Sequence, residues 1–390
     1  MIQSKRFVAV LLGLAVLAAC TTPTQSSPTR PSPAVTPTYP LAPSPTLALT
    51  ALPPPTLAST PTKIAPTATS LPRVTPTVNP PARTATPIAR PTEPSNGWEV
   101  RTLLVGSSRM YALMADARSM LFDSSKMKLL VSDDNGATWV AFAGGLPVAP
   151  QCIANVNLDY ATRDGLYAST CQGLFRWSDG RWTRLSTQET WMVAITYGKP
   201  NQVWAAAAPA KGGPVIRSED GGKTWRDAST NLINFNGVAN LGIDPREARA
   251  VYAIIMPKYG GSYLRRAFVD NAWDTLPTPL NNSQIDVGMT IDGATGDLYV
   301  TSYMYPTGWF LWRTRNPAAS NINDVKWERM AEFGSDHQAT LLASATSPLG
   351  LTLFVKMSPN FCNTSDARCD PFVQRSDDGG KTWTGMFIKE

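Results

Sequence analysis

Histidine is nearly absent from this sequence of 390 residues, because His337 is the only one. A metal site of several histidines cannot be assembled around one imidazole, and a serine nucleophile would have only His337 as its histidine base. The Asp-rich stretches lack the spacing of a calcium loop, D-x-[DN]-x-[DN]-G followed by Glu. The sequence therefore predicts neither a metal site nor a cofactor, and we expect His337 to lie in a surface loop.

An excess of positive charge is missing from the larger part of the chain. The formal net charge of +6 arises in residues 1–96, which hold seven basic side chains and one acidic side chain, Glu93. The remainder carries 28 basic and 28 acidic side chains. Because this part has no net charge to attract phosphates, we do not expect it to bind nucleic acid.

Long apolar segments are missing except near the start of the chain. The run Phe7–Val16 follows the basic Lys5 and Arg6, and it is shorter than the ~20 residues that span a bilayer, as is typical of a secretory signal. It leads to Leu17-Ala18-Ala19-Cys20, which resembles the bacterial lipobox. An ordinary signal peptide with an incidental cysteine is the alternative.

The lipobox resemblance implies that residues 1–20 are a lipoprotein signal peptide and that Cys20 carries acyl chains. Several acyl chains on one residue suffice for stable anchoring. We therefore expect the protein at the cell surface or on the periplasmic side of a bacterial membrane. The lipid anchor would be its only membrane contact.

Residues 21–96 are dominated by Thr, Pro, Ser and Ala and have no apolar face to bury. This composition predicts a disordered linker. A polyproline-like segment of this length reaches roughly 235 Å at about 3.1 Å per residue. We expect it to act as a stalk for a folded domain over residues 97–390.

Four cysteines follow Cys20, and an even number suits an oxidising compartment. Cys362 and Cys369 lie seven positions apart, which suits a staple across one long loop. Cys152 would then pair with Cys171. Free thiols are the alternative.

Tryptophan recurs at intervals of 43, 43, 48, 54 and 56 residues, at Trp139, Trp182, Trp225, Trp273, Trp327 and Trp383. Such periods indicate a repeated supersecondary unit. Each unit contains short apolar runs bounded by Gly, Pro, Asn and Asp, without helical periodicity, so we expect four short strands per unit. The sequence predicts an all-β fold, a single β-propeller of six four-stranded blades, or seven if Trp98–Val100 helps to build another. Small residues in the second strand, as in VWAAAA, suggest crowding near the axis.

One sequence motif, the SxDxGxTW phrase, ends in three of these tryptophans. Ser and Asp at alternate positions can bond the backbone of a tight turn, Gly supplies a positive φ, and the indole can pack between sheets. We interpret the phrase as a structural hairpin between the third and fourth strands. Its copies are Ser132, Asp134, Gly136, Thr138, Trp139; Ser218, Asp220, Gly222, Thr224, Trp225; and Ser376, Asp378, Gly380, Thr382, Trp383.

These three copies resemble the Asp-box, or bacterial neuraminidase repeat. The resemblance covers residues 97–390, with degenerate copies before Trp182, Trp273 and Trp327. Asp-box propellers include sialidases, xyloglucanases, sortilin-type receptors and photosystem II assembly factors, so the motif implies a fold and leaves function open. In these families the boxes lie opposite the binding face.

Two enzyme hypotheses follow from this resemblance. Sialidases use an arginine triad and an early Arg-Ile-Pro, which is missing here, and the arginines of the third strands recur with the repeat at Arg176, Arg217, Arg265, Arg313 and Arg375. Other glycoside hydrolases need two facing carboxylates. Asp159, Asp244 and Asp292 share one repeat position, which favours turn capping. We assign no catalytic residue, and a sialidase-like or xyloglucanase-like hydrolase is the alternative function.

Aromatic residues mark the loops expected on the face opposite the phrase. They are suited to stacking on sugars or anchoring a protein, although packing on neighbouring loops is the alternative. We predict a non-enzymatic binding or assembly module for a glycan or protein partner at the cell surface. The candidate binding residues are Tyr259, Tyr303, Tyr305, Trp309 and Phe361.

Overall fold

The computed structural model describes residues 90–92, 97–117, 126–159, 165–196, 199, 201–207, 215–232, 235–246, 250–257, 262–268, 272–277, 286–347, 350–360 and 369–390. They belong to a compact unit, Pro81–Glu390. The predicted signal peptide, Cys20 and nearly all of the predicted linker lie outside the described residues. No helix within the described ranges is long and apolar enough to cross a membrane.

Six four-stranded antiparallel sheets make up the described fold, and each sheet uses one continuous stretch of chain. Blade 1 contains β1 (Trp98–Val105), β2 (Met110–Asp116), β3 (Met127–Ser132) and β4 (Val140–Ala141). Blade 2 contains β5 (Ile153–Asp159), β6 (Gly165–Thr170), β7 (Gly173–Ser178) and β8 (Arg181–Ser186). Blade 3 contains β9 (Thr190–Ile195), β10 (Val203–Ala207), β11 (Val215–Ser218) and β12 (Arg226–Asp227).

The other three blades repeat this order. Blade 4 contains β13 (Phe235–Ile243), β14 (Ala250–Pro257), β15 (Tyr263–Phe268) and β16 (Asp274–Thr275). Blade 5 contains β17 (Asp286–Ile291), β18 (Leu298–Met304), β19 (Gly308–Thr314) and β20 (Glu328–Gly334). Blade 6 contains β21 (His337–Ser347), β22 (Gly350–Pro359), β23 (Phe372–Ser376) and β24 (Thr384–Met386). Short 3₁₀ turns occur at Pro150–Cys152 and Ile322–Asp324.

The first strands of the six sheets form the inner wall of the ring. They contact one another in chain order, and β21 closes onto β1. The prediction of a six-bladed propeller is thus confirmed, and Trp98–Val100 belongs to the first strand of blade 1 rather than to a seventh blade.

The second strands are the most buried, but they are not nearest the axis. All five residues of β10 are buried, and Ala205 has no exposed surface. Since β10 pairs with β9 on one side and β11 on the other, it lies inside the sheet, one strand away from the inner wall. The expectation that its small side chains crowd the axis is wrong.

Each recurring tryptophan packs into the space between its own blade and the preceding one. Trp273 joins the cluster of buried residues shared by blades 3 and 4, and its Nε1 donates to the Ala228 carbonyl at 2.7 Å. Trp327 donates in the same way to the Pro277 carbonyl of blade 4 at 2.8 Å. The repeat therefore places one amphipathic ring at every junction between blades.

The ring closes through side chains, since among the described residues no sheet combines strands of blade 1 with strands of blade 6. Ile388, which follows β24, and Phe354 of β22 pack with Leu103 of blade 1 in one buried cluster. Beside this cluster, Arg375 donates to the Asn135 carbonyl at 2.8 Å. The segment after β24 therefore fastens blade 6 to blade 1.

Candidate functional site

A central channel of about 270 Å³ runs between the inner strands, and residues from all six of them line it. Because successive strands in a blade are antiparallel, the β1–β2 and β3–β4 turns lie at one end of the ring. We call that end the hairpin face, and it carries the SxDxGxTW phrases. The opposite end, where the inner strands begin, is called the open face.

The inner strands are out of register with their neighbours near the open face. A β-bulge there interrupts five of the six pairings and leaves a residue of the inner strand opposite no partner, whereas the bulge of blade 6 lies further along β21, at Leu342. Bulges re-aim side chains and are common next to functional sites. The bulged residues near the start of their strands are Arg101, Ala154, Trp191, Asn236 and Val287.

Two of these bulges present large side chains to solvent. The Trp191 ring is 39% exposed, which is unusual for tryptophan in this protein. Arg101 is exposed as well, and its Nη2 lies 2.9 Å from Glu99 Oε1. Glu99 also pairs with Lys356 across the junction of blades 1 and 6, at 3.5 Å. Arg101 is thus oriented and partly neutralised by its neighbours.

Blade 2 lies between these two side chains, and a disulfide holds its rim. Cys152 and Cys171 are bonded, with a Cα–Cα distance of 4.9 Å, which confirms that predicted pairing. The Cys171 N–H also donates to the Cys152 carbonyl at 2.9 Å. Cys369 is disulfide-bonded too, and its predicted partner Cys362 lies outside the described residues. The segment before β5 and the β6–β7 turn are therefore fixed together on the open face.

Three of the predicted binding aromatics lie in the described part of blade 5, and their environments differ. Tyr305 is 71% exposed, at the β18–β19 turn on the open face. Trp309 is only 6% exposed, packs against Tyr303 at a centroid distance of 5.2 Å, and belongs to the core between blades 5 and 6. Trp309 is therefore a core residue, and the half-buried Tyr303 supports it. Tyr259 and Phe361 lie outside the described residues.

Below the open face, the channel wall consists of layers that the strand register defines. The first layer is mainly polar and comprises Thr102, Asn155, Met192, Asn240, Gly288 and Thr340. The next layer is apolar and buried, and it comprises Leu103, Val156, Val193, Leu241, Met289 and Leu341. Arg101 is the one charged residue among the described residues that line the channel.

Asparagine side chains link neighbouring inner strands, a feature that the sequence analysis missed. Asn157 Nδ2 donates to the Val193 carbonyl of blade 3 at 2.7 Å. Asn240 Nδ2 donates to the Met289 carbonyl of blade 5 at 3.0 Å. Asn in the first apolar run of a repeat, as in NVNLD and VANLG, is the sequence signal that could have pointed to these clamps.

The three SxDxGxTW hairpins share one hydrogen-bond pattern on the hairpin face. In the first, Ser132 Oγ accepts from Gly136 N at 2.8 Å and donates to Asp134 Oδ1 at 2.8 Å. Asp134 also accepts from Thr138 N and Thr138 Oγ1, at 2.8 and 2.6 Å. The same bonds recur around Asp220 and Asp378. Two successive residues have positive φ in each hairpin, and Asn135 takes the position that Gly221 and Gly379 hold elsewhere.

Hydrogen bonds within the hairpin hold the Asp134 carboxylate in its charged form. The bond from the Thr138 hydroxyl is the largest cause, followed by those from Thr138 N and the Ser132 hydroxyl, and together they lower the pKa of Asp134 to about 2. For Asp378, desolvation acts to raise the pKa, but equivalent bonds outweigh it and lower the pKa to about 2. The oxygens of these carboxylates are therefore occupied by hydrogen bonds within the turn.

Four arginines of the third strands form ion pairs within their own blades rather than converging. Arg176 bonds Asp159 at 2.6 Å, and Arg217 bonds Glu219 at 2.9 Å. Arg313 pairs with Glu328, and Arg375 contacts Asp377 at 3.0 Å. In blade 4 the equivalent residue is Arg266, which faces Tyr252 on β14, rather than the predicted Arg265.

The aspartates that end the inner strands also have local roles. Asp244 accepts from Arg246 N at 2.8 Å, and Asp292 accepts from Thr295 N at 2.8 Å, so the predicted turn capping holds for these two. Asp159 instead forms the ion pair with Arg176. His337 is not in a loop, since it begins β21 half-buried, and its ring meets Phe372 edge-on. The described residues contain no group of three or more His, Cys, Asp and Glu side chains that could hold a metal ion.

No protein-family model matches the chain. A search of curated proteins also gave no match. The solved structures that are similar include an ancestral GH74 enzyme, at 16% identity over 79% of this chain and 40% of that chain, with a TM-score of 0.44. Another is TolB from Acinetobacter baumannii, at 9% identity over 70% of this chain and 65% of that chain, with a TM-score of 0.45. A third is Trypanosoma rangeli sialidase in complex with 2,3-difluorosialic acid, at 14% identity over 68% of this chain and 53% of that chain, with a TM-score of 0.43.

This chain spans less than two thirds of the length of each of these three structures. At such identities the likeness extends to the fold alone. The six sheets themselves establish that the chain is a six-bladed β-propeller.

Proposed function

We propose that this chain is a lipid-anchored, extracytoplasmic binding or assembly module that holds a glycan or protein partner at the open face of its propeller. Cys20 would carry the anchor, and residues 21–96 would act as the stalk. The lipid would be the only membrane contact, and nucleic acid is not a partner. The proposal assigns no catalytic residue and no cofactor.

One observation carries this proposal, namely the bulges that turn Trp191 and Arg101 towards solvent at the channel mouth. A tryptophan in the innermost strand of a propeller blade would stabilise the fold better if it were buried. Trp191 instead remains 39% exposed, next to a rim that the Cys152–Cys171 disulfide holds in place. Exposed tryptophan and arginine side chains on a fixed backbone are typical of recognition surfaces.

The chemistry around the channel favours binding over hydrolysis of a glycosidic bond. A glycoside hydrolase needs two carboxyl groups about 5 to 10 Å apart across the scissile bond. The described residues that line the channel include no carboxylate. Glu99, which lies close to the mouth, is engaged by both Arg101 and Lys356.

The test compares variants of the mature protein on a glycan array and in pull-downs from cognate membranes. Trp191→Ala and Tyr305→Ala remove the exposed aromatics, and Val140→Ala is the matched control, because Val140 is 59% exposed on the outermost strand of blade 1. We expect Trp191→Ala to lose most of the partner binding while Val140→Ala keeps it. Equal binding by all variants would exclude the open face. Turnover of chromogenic glycosides, including a sialoside, would instead support the hydrolase alternative.

A further inference from the structure

We infer that the channel itself is a ligand site, selective for an uncharged hydroxyl or carboxamide group and against the corresponding carboxylate. The inference rests on the proposed function, because it names the chemistry that the open face accepts. The group could belong to the partner or to a free small molecule, and both share this chemistry.

The upper part of the channel offers hydrogen bonds without charge. Asn155, Asn240 and Thr340 lie in the polar layer just below the mouth. Asn240 uses one amide N–H for the Met289 carbonyl, and Asn155 approaches Thr102 Oγ1 at 3.5 Å. Because each carboxamide has two N–H donors and a carbonyl acceptor, both retain groups for a ligand.

The lower part of the channel contains a hydroxyl group that lacks a partner. Ser344 lies on β21 and lines the cavity. It is 8% exposed, and its Oγ has no hydrogen-bond partner among the described residues. The register places branched aliphatic residues at the same height in the other blades: Val105, Leu158, Ile195, Ile243 and Ile291. A buried hydroxyl among aliphatic side chains is costly unless a ligand or water bonds it.

The layers explain why an anion would be rejected. The apolar layer that contains Leu103 and Leu341 lies directly below the polar layer. A carboxylate in such surroundings loses hydration. Arg101 is the only cationic side chain among the described lining residues, and Glu99 already neutralises part of its charge. An uncharged group loses less hydration and can still bond the amide and hydroxyl groups.

The size of the channel fits a small group. Its volume of about 270 Å³ is close to the lower end of ligand pockets, roughly 300 Å³. Gly288 lets β17 and β21 approach each other closely, because a Cβ there would lie 2.5 Å from Leu341 N. The site therefore suits a single sugar ring or an amide side chain rather than an extended polymer.

Ligand-observed NMR of the full chain with matched pairs tests this inference, using glucose against glucuronate and glutamine against glutamate. We expect the uncharged member of at least one pair to bind about tenfold more tightly than its acid. Thr340→Val and Ser344→Ala, which remove hydroxyl groups with little change in volume, should weaken that binding several-fold. Val140→Ala should leave it unchanged, and thermal unfolding would show that the variants are folded.

The outcomes separate the two proposals. If neither neutral compound binds, if the acids bind equally well, or if both channel variants bind like the parent, the channel inference is wrong. Partner binding that needs Trp191 but tolerates both channel variants would uphold the proposed function and overturn only the channel site. If small-molecule binding survives Trp191→Ala, the channel ligand is a free compound. If Ser344→Ala abolishes binding of the partner, the ligand is a group of the partner itself.

Discussion

Arg176 lies directly opposite Tyr167 on adjacent strands of blade 2, with its guanidinium carbon 5.8 Å from the ring centroid. The same register pairs Trp204 with Arg217, Tyr252 with Arg266, Tyr299 with Arg313 and Phe354 with Arg375. Blade 1 departs from this pattern, because Tyr111 faces Val131. An aromatic residue on the second strand and an arginine on the third is thus a structural unit of this propeller. Its arginines are engaged within the fold, and two of them reach the next blade: Arg266 donates to the Pro317 carbonyl and Arg375 to the Asn135 carbonyl, both at 2.8 Å.

Removing Arg176 should destabilise blade 2. Its Nε and Nη2 bond Asp159 at 2.7 and 2.6 Å, and the Asp159 side chain has no exposed surface. Taking the guanidinium away from a buried carboxylate costs about 3 kcal/mol, so Arg176→Met should lower the free energy of unfolding by that amount. The double variant Arg176→Met with Asp159→Asn should recover part of the loss in urea unfolding. No difference between the two variants would contradict the pairing.

The segment after β24 should be essential for closing the ring. Ile388 is 3% exposed and packs between blades 6 and 1. Ile388→Ala should cost about 2 to 5 kcal/mol, as a large-to-small core substitution. Chemical denaturation measures this loss, and Val140→Ala should stay within about 0.5 kcal/mol as a surface control. A similar stability for both variants would show that the junction is closed by other contacts.

Two aromatic residues of the β18–β19 region should differ in their contribution to the free energy of unfolding. Trp309 is buried between blades 5 and 6, so Trp309→Ala should cost about 3 to 5 kcal/mol. Tyr305 is 71% exposed, and Tyr305→Ala should leave stability nearly unchanged. Thermal unfolding of the two variants checks both expectations. A clear loss of stability in Tyr305→Ala would contradict this expectation and show that the Tyr305 ring makes a stabilising contact.

The SxDxGxTW hairpins should loosen in acid. Hydrogen bonds lower the pKa of Asp134 and Asp378 to about 2 in the folded state, whereas an unfolded aspartate has a pKa of about 3.9. The folded state therefore favours the charged carboxylates, and the stability that they contribute is present above about pH 4 and is lost as the pH falls towards 2.

Unfolding midpoints between pH 2 and pH 7 test this dependence. Asp134→Asn with Asp378→Asn should flatten the decline below pH 4, because the replaced groups no longer titrate. Asp274→Asn, at an exposed position in β16, is the control and should retain the slope of the parent. An unchanged slope in the double variant would argue against the lowered pKa values.

Much of the fold could be predicted from the sequence because the repeat is local. The spacing of Trp139 and Trp182 and the alternation of apolar runs and turns gave the six blades and the position of the hairpins. The pairing of Cys152 with Cys171 was predicted from the even number of cysteines after Cys20 and from the short spacing of Cys362 and Cys369. These features depend on residues close together in the chain.

The channel mouth could not be predicted, because it depends on register between strands. A bulge moves Trp191 out of the alternating pattern, and nothing in TWMVAI distinguishes this strand from an unbulged one. The same limit explains Arg265 and Arg266, since only the pairing with Tyr252 shows which arginine faces the aromatic ring. Trp309 looked like a loop residue because its burial depends on blade 6, which follows later in the chain.

Site-specific photocrosslinking in cells expressing the full chain tests the proposed location of the recognition surface most directly. A photoreactive p-benzoylphenylalanine would replace Trp191 at the channel mouth in one variant and Lys223, exposed in the second hairpin, in the other. We predict partner adducts from position 191 and none from position 223. Adducts from position 223 alone would contradict the assignment of recognition to the open face.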